Sequence, residues 1–535
     1  MLTVKTSKRK FIKLFSLFIA IMLPWLIAIV YFNNSDGEEI PLRSIKFIKD
    51  TIPKVDHSKF AILQQEFETP QDLTVACLSC HNQTGREVMQ TSHWKWTRDY
   101  ITDSGDTIQL GKKNIINNFC IGVSSNERRC TSCHVGYGWE DNDFDFTESK
   151  NIDCIVCHDR SGTYKKFPSG AGYPVKEEKK FGKEIYYPPD YKLISQNIGP
   201  PTNENCGACH FVGGGGNNVK HGDIAMEMSN ISKTVDVHLA VDGAKMGCVD
   251  CHKTERHNIR GSLYSIASTN ENRISCEQCH SEEPHIDRTL NFHTRKIACQ
   301  TCHIPVYAKV SATKMEWDWS TAGKFNEDGS ILVKKDSAGN IIYHSMKGTF
   351  SWESDVEPEY YWFNGNARHY LMGDKIDTTE VVQLNSLLGS YNDRNAKIVP
   401  VKVHRSQQIY DPLNETMILP HLYGKDSTAF WTNFDWNKAA ETGMRSVNLP
   451  YSGKYAFITT EMDWPINHMV APIENTLKCA DCHARDSRLQ NLTDFYLPGR
   501  DYSSFLDLLG FGIIIMAFIG VIIHGSLRIF KNKIF

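Results

Sequence analysis

Three features of the sequence predict the fold class. There are eight Cys-x-x-Cys-His segments, an apolar run near each end of the chain, and Gly-, Asn- and Pro-rich stretches between the cysteine motifs. Together they predict a multihaem cytochrome c, mainly α with sparse secondary structure around a packed haem cluster, plus N- and C-terminal transmembrane helices.

The motifs come first because they use sixteen of the seventeen cysteines. They are Cys77, Cys80 and His81; Cys130, Cys133 and His134; Cys154, Cys157 and His158; Cys206, Cys209 and His210; Cys248, Cys251 and His252; Cys276, Cys279 and His280; Cys299, Cys302 and His303; and Cys479, Cys482 and His483. Two thiols add to the two vinyl groups of one haem, and two intervening residues let both sulfurs reach one porphyrin edge. The following histidine is then the expected proximal iron ligand. One such motif could be a zinc half-site or a redox dithiol, whereas eight on an exported chain select eight covalently bound haem c groups. Each haem buries a large apolar ring, so the core is partly porphyrin.

The ends come next. Lys5, Lys8, Arg9, Lys10 and Lys13 precede an apolar run from Phe11 to Phe32, which at about 1.5 Å per residue reaches roughly 33 Å. It reads as an uncleaved anchor, with a cleaved signal peptide as the alternative. A second run, Phe505 to Leu527, is followed by Arg528, Lys531 and Lys533. Cations at both extremes place both tails in the cytoplasm. The expected organisation is 1–32, cytoplasmic tail and anchor; 33–305, a haem-rich domain with seven haems; 306–503, a partly helical supporting domain carrying the eighth haem; and 504–535, a C-terminal transmembrane helix and tail. In the supporting domain a helix is expected at about 426–445. This places the chain in a bacterial inner membrane, with the haem domain facing the periplasm or exterior.

Across 535 residues the formal charge is −3 and 41% of residues are hydrophobic. Neither half is basic enough for a nucleic-acid partner. A homo-oligomer is compatible with the sequence.

Of the 21 histidines, thirteen lie outside the motifs. The expected distal ligands, in or beside the haem-rich part, are His93, His221, His238, His257, His285 and His293, with His404 and His468 as additions. A bis-histidine haem is closed and carries electrons, whereas a haem meant for chemistry needs an open or weakly held position. Histidine, with a pKa near 6.5, is mostly neutral at pH 7, whereas deprotonating a lysine there costs roughly 4–5 kcal/mol. A lysine–iron bond is therefore the easier one to exchange. Lys165 and Lys166 follow the third motif in CIVCHDRSGTYKKF; spacing alone leaves them as solvated loop residues.

Several longer segments carry more information: INNFCIGVSSNERRCTSCHVGYGW, NIDCIVCHDRSGTYKKF, NCGACHFVGGGGNNVKHGD, DCHKTERH, LNFHTRKIACQTCHIP, TKMEWDWSTAG and INHMVAP. Together they resemble the octahaem tetrathionate reductase family, a branch of the hydroxylamine-oxidoreductase-like octahaem cytochromes, here in a membrane-anchored form. The resemblance spans roughly residues 55–490. It implies an active-site haem on Cys130, Cys133 and His134, whose distal ligand is a lysine after the third motif. Lys166 is preferred over Lys165. The other seven haems would be bis-histidine.

Cys120, the odd cysteine ten residues before the second motif, is expected to be a buried hydrophobe or a thiol near the active pocket. Asp159 is expected either to orient the lysine or to be a plain loop carboxylate. The GGGG run at 213–216 lacks the Lys-Ser/Thr ending of a phosphate loop and is expected to let backbone pass a porphyrin.

The expected function is a reductase that passes electrons through the haem chain. A small inorganic anion or nitrogen oxide (tetrathionate, nitrite or hydroxylamine) would displace the lysine at the second haem. The membrane segments imply a quinol-oxidising or cytochrome b partner, for which His524 is a candidate haem ligand. The alternatives are a hydroxylamine-type oxidoreductase working oxidatively and a non-catalytic electron conduit.

Overall fold

The computed structural model describes residues 55–101, 105–119, 122–262 and 272–530. The apolar run 11–32 and Cys120 lie outside the described residues. The described residues fall into two compact units, a larger one within 55–281 and 293–478 and a smaller one of 282–292 and 479–530. Residues on both sides of the expected break at 305/306 fall in the larger unit. Ile116, Phe119 and Val219 share one buried core with Trp317, Trp319 and Trp464.

In the larger unit the haem motifs ride on short helical turns. Helix α1, Pro70–Cys80, starts at a capping box in which Thr69 and Asp72 satisfy each other's backbone N–H groups, with Pro70 in the first turn. Helix α2, Asn203–His210, starts the same way from Thr202 and Asn205. Other motifs occupy a single turn, as in Ile155–His158 and Cys299–His303. One turn brings residues i and i+3 to the same side, which is what two sulfurs bound to one porphyrin require.

The expectation of a mainly α chain fails between residues 313 and 465. This region is built on a nine-stranded sheet: β1 Thr313–Asp318, β2 Val333–Lys335, β3 Ile341–His344, β4 Gly348–Glu353, β5 Glu359–Phe363, β6 Val382–Gln383, β7 Lys397–Asp411, β8 Thr416–Met417 and β9 Ala456–Pro465. The strand order is β6-β9-β7-β1-β4-β3-β2, with β5 and β8 also paired to β7. The physical reason lies in β7, the central strand. Ile398, Val399, Val401 and Val403 favour extended backbone, and ten antiparallel pairs from Val401↔Pro465 to Tyr410↔Ala456 hold it to β9.

Alternate residues of β7 point to opposite faces, and Lys402, His404, Ser406 and Gln408 share one of them, all buried. That polar face receives chain from the haem-rich segment. Gln408 Nε2 donates to Asn117 O (2.7 Å), Asn118 Nδ2 donates to His404 O (2.6 Å), and Lys402 Nζ donates to Val219 O (2.9 Å). The stretch leading into the second haem motif is thereby fixed to the sheet.

The helix expected at 426–445 is two helices. Phe430–Asn433 ends at Phe434, whose φ of +57° breaks the run. Helix α3, Trp436–Ser446, then starts on Asp435, which accepts from the N–H groups of Asn437 and Lys438. It buries Trp436, Ala439, Ala440, Gly443 and Met444, a helical stripe.

The Gly213–Gly216 run turns sharply, with Gly214 and Gly215 at positive φ. A Cβ on Gly214 would stand 2.9 Å from Val219 and 3.2 Å from Phe119, so glycine is needed there for packing against protein.

In the smaller unit, His483 Nδ1 donates to Pro498 O (2.9 Å), and Arg500 binds Leu489 O (3.1 Å), Phe495 O (2.6 Å) and Asp501 (2.7 Å). Helix α4, Ser504–Phe530, follows. Among the described residues its stretch Ser504–Ile529 is the one helix long and apolar enough to cross a membrane.

Candidate haem chain and active centre

Five pairs of histidine rings face each other at nearly one distance. Ring centres are 6.4 Å apart for His57 and His81, 6.2 Å for His93 and His210, 6.5 Å for His158 and His257, 6.1 Å for His238 and His280, and 6.3 Å for His252 and His468. With metal–imidazole bonds of about 2.0–2.1 Å and about 1.1 Å from nitrogen to ring centre, two imidazoles on one metal stand roughly 6.2–6.4 Å apart. The geometry fits one iron between each pair. Each pair joins a motif histidine to a histidine from elsewhere.

The motif histidines also prepare the right nitrogen. Nδ1 of His158 bonds Gly199 O (3.0 Å), and Nδ1 of His252 bonds Arg260 O (2.8 Å). A carbonyl only accepts, so the proton sits on Nδ1 and Nε2 is free to bind metal. Burial keeps the imidazoles of His93, His158, His210, His238 and His252 neutral by pushing their pKa values down, to about 3 at His210. Neutral imidazole is the ligating form.

The second motif departs from this pattern. His134 has Nε2 on Trp94 O at 2.6 Å, so Nε2 carries the proton. Its Nδ1 is buried without a partner. The ring stands in an aromatic box, 4.9 Å from Trp139, 5.0 Å from Trp94, 5.6 Å from Phe144 and 5.7 Å from Trp96. Gly136 permits this fit, since a Cβ there would stand 2.7 Å from Trp94 and 2.9 Å from His134 itself. This geometry differs from that expected of an iron-ligating His134, since Nε2 faces a carbonyl here whereas His158 and His252 turn Nδ1 to theirs.

Lys166 stands on the same side as the motif. Its Nζ donates to His134 O and to Gly136 O (3.2 Å), and it pairs with Asp153 Oδ2 at 2.9 Å. Both side chains are buried, with 7% exposure for Lys166 and 0% for Asp153. Lys165, its neighbour, is exposed, so the fold separates two residues that spacing could not.

Asp153 accepts further bonds from Tyr137 OH (2.7 Å), Tyr164 OH (2.8 Å) and Val156 N (3.0 Å). Burial and the Asp153 charge push both phenols well above the ordinary tyrosine pKa, so they stay protonated donors. Asp159, the carboxylate expected to orient the lysine, instead caps a loop through Ser161 N (2.8 Å), Ser161 Oγ (2.6 Å) and Tyr164 N (3.2 Å). The orienting carboxylate is Asp153, one residue before Cys154.

Contacts between cysteines order the haems of the larger unit. The thiol of Cys77 meets Cys154, Cys133 meets Cys209, Cys206 meets Cys248, and Cys276 meets Cys299. Cys157 neighbours Cys206, and Cys251 neighbours Cys279. Numbered by motif, the line runs 1-3-4-5-6-7, and motif 2 branches from motif 4.

Of the expected distal ligands, His93, His238, His257 and His468 stand opposite motif histidines. The ring of His221 lies 5.2 Å from Trp464. That of His404 lies 4.3 Å from Phe119, with both nitrogens buried and unpartnered. His285 Nδ1 bonds Asn291 Oδ1 (3.2 Å), and His293 closes the helix Arg288–His293. His57, outside the expected set, faces His81; its lone position upstream of the first motif is the signal that sequence offers.

Paired histidines, single-turn thiol motifs and an unbroken line of attachment sites define a multihaem c-type cytochrome, an extracytoplasmic electron-transfer protein of oxidoreductase type. Its cofactor is covalently bound haem c. Residues 76–159 match the family model "Cytochrome c554 and c-prime", and residues 314–486 match "Cytochrome c bacterial". The chain is similar to an octahaem cytochrome c of Shewanella oneidensis, with 44% identity and a TM-score of 0.74 over 82% of this chain and 96% of that one. It is also 26% identical to an uncharacterised protein of Archaeoglobus fulgidus over 241 residues, 38% of this chain and 80% of that protein. The chain belongs to the octahaem cytochrome c family, in line with the tetrathionate-reductase-like resemblance of its linkers.

Proposed function

We propose that the chain is a membrane-anchored, outward-facing reductase whose active centre is the second haem, with Lys166 as the protein ligand to its iron. The observation that supports this reading is the hydrogen bonding at the second motif. His134 Nε2 is committed to Trp94 O, while Lys166 Nζ stands at the His134 and Gly136 carbonyls. Haem bound here would supply an iron able to pass electrons one at a time to a bound anion or nitrogen oxide. Lys166 would hold the iron as the neutral amine, giving up one proton, and a substrate able to displace it would reach the same iron. Asp153 accepts from the amine and orients it, and Tyr137 and Tyr164 hold Asp153 in place. The aromatic box keeps water from the His134 side.

Tetrathionate to thiosulfate and hydroxylamine to ammonia each need two electrons, and nitrite to ammonia needs six; eight haems can store either number. Helix α4 supplies the anchor on the strength of its length and apolar surface, and a quinol-oxidising membrane partner would feed the line.

The test is steady-state reduction of tetrathionate, nitrite and hydroxylamine by the dithionite-reduced holoprotein, with Lys165→Ala and Lys166→Ala alongside. Lys166→Ala should abolish turnover and alter the high-spin haem signal, and Lys165→Ala should change neither. Absence of turnover on all three substrates, together with an unchanged signal in Lys166→Ala, would refute the proposal.

A further inference from the structure

The five histidine pairs are not backed alike. His257 Nδ1 donates to Glu87 Oε2 at 2.9 Å, and His468 Nδ1 donates to Asp223 Oδ2 at 3.0 Å. Their motif partners, His158 and His252, rest on backbone carbonyls. Asp236 stands 3.9 Å from His238 Nδ1, beyond hydrogen-bond reach, and spends its oxygens on the backbone N–H groups of His238, Leu239, Met469 and Val470. Among the described residues no carboxylate bonds His57 or His93, and His57 Nδ1 is buried without a partner. Two distal histidines are thus singled out.

A carboxylate that accepts the Nδ1 proton draws it away from the ring and makes Nε2 a stronger donor. Stronger donation and a nearby negative charge both favour ferric over ferrous iron, because the ferric form carries one more positive charge. We infer that Glu87 and Asp223 are redox-tuning residues, which position the distal histidines of haems 3 and 5 and lower the potentials of these two haems. In the line of attachment sites, haems 3 and 5 flank haem 4, and haem 4 adjoins the proposed active haem. An electron approaching from either arm would therefore reach the junction from a low-potential neighbour, and its last step before the branch would run downhill. Asp223 is 2% exposed and Glu87 28%, so the effect at haem 5 should be the larger.

The inference rests on the histidine pairing above, and the experiment separates the two. Potentiometric titration and low-temperature EPR are run on the holoprotein with Glu87→Gln, Asp223→Asn and His468→Met. Each carboxamide keeps one acceptor oxygen for its neighbours and loses the charge and the second acceptor. The expected result is that Asp223→Asn raises one low-spin haem by at least tenfold in its reduction equilibrium, 59 mV for one electron. Glu87→Gln should raise a different haem by less. If every potential stays put in both variants while His468→Met alters a low-spin signal, the tuning role is wrong and the pairing stands. If His468→Met leaves every low-spin signal unchanged, the pairing itself fails.

Discussion

Replacing Asp153 with asparagine tests the active centre at its tightest point. The carboxylate has four partners, Lys166, Tyr137, Tyr164 and Val156, and no exposed surface. Asparagine offers one acceptor oxygen and an amide that cannot accept, so it cannot serve donors on both sides. Breaking a buried charge pair by removing one partner costs about 3–5 kcal/mol when the other stays charged. Covalent haem and the remaining tyrosine contacts hold the pocket together, so part of that cost should appear as misplacement of Lys166. Loss of partners that orient a metal ligand typically costs about 10–100-fold in activity, or roughly 1.4–2.7 kcal/mol at 1.36 per tenfold. The assay is turnover of whichever substrate the wild type reduces, read beside the high-spin haem band. Asp153→Asn should lose about 10–100-fold in kcat and shift that band. Asp159→Asn, which touches only its own loop, should stay within a few-fold. Wild-type turnover and spectrum in Asp153→Asn, or equal losses in both variants, would refute the assignment.

Three further outcomes follow from the geometry. His57→Met should replace or remove one axial ligand of the first haem, changing one low-spin EPR signal and leaving the other bis-histidine signals in place. Burial beside Glu461 and Glu359 pushes the Asp463 carboxyl up to about 7. Its raised folded value means that the folded state holds the proton more tightly than the unfolded one, so stability falls as pH rises from about 4 to 7, by up to roughly 4 kcal/mol. Asp463→Asn should therefore raise the thermal midpoint more at pH 8 than at pH 5, a difference that calorimetry at the two pH values would register. Truncation after Arg500 removes helix α4 and should shift the protein away from the membrane fraction if that helix is a principal anchor; unchanged partitioning would place anchorage elsewhere.

The haem attachment sites were legible in the sequence because their chemistry is local: two sulfurs and a histidine within five residues answer to one porphyrin edge. The proposed active-site lysine was half legible. Its need followed from closed-shell iron and its neighbourhood from the family resemblance. Only the fold could show that Lys166 points inward while Lys165 faces water, because adjacent residues of a loop have no period to read. Asp153 was overlooked in favour of Asp159 because it stands thirteen residues before Lys166, and a loop must fold back to join them. The sheet was hidden by β7, whose face of Lys402, His404, Ser406 and Gln408 looks solvated by composition and is buried against chain nearly two hundred residues or more away in sequence. The contact of His134 Nε2 with Trp94 O was beyond sequence reasoning, since its motif is spelled like the other seven.

The touching thiols have a consequence for biogenesis. Cys77 and Cys154, Cys133 and Cys209, Cys206 and Cys248, and Cys276 and Cys299 are neighbours in the folded chain. Outside the cytoplasm, where oxidation is favoured, neighbouring free thiols can form a crosslink that would take one attachment thiol from each of two haem sites. The same proximity that gives electrons a short path makes unfilled sites a folding trap. Haem loading has to outrun oxidation at each of these pairs, and shortage of haem should yield crosslinked chains in place of partly loaded cytochrome.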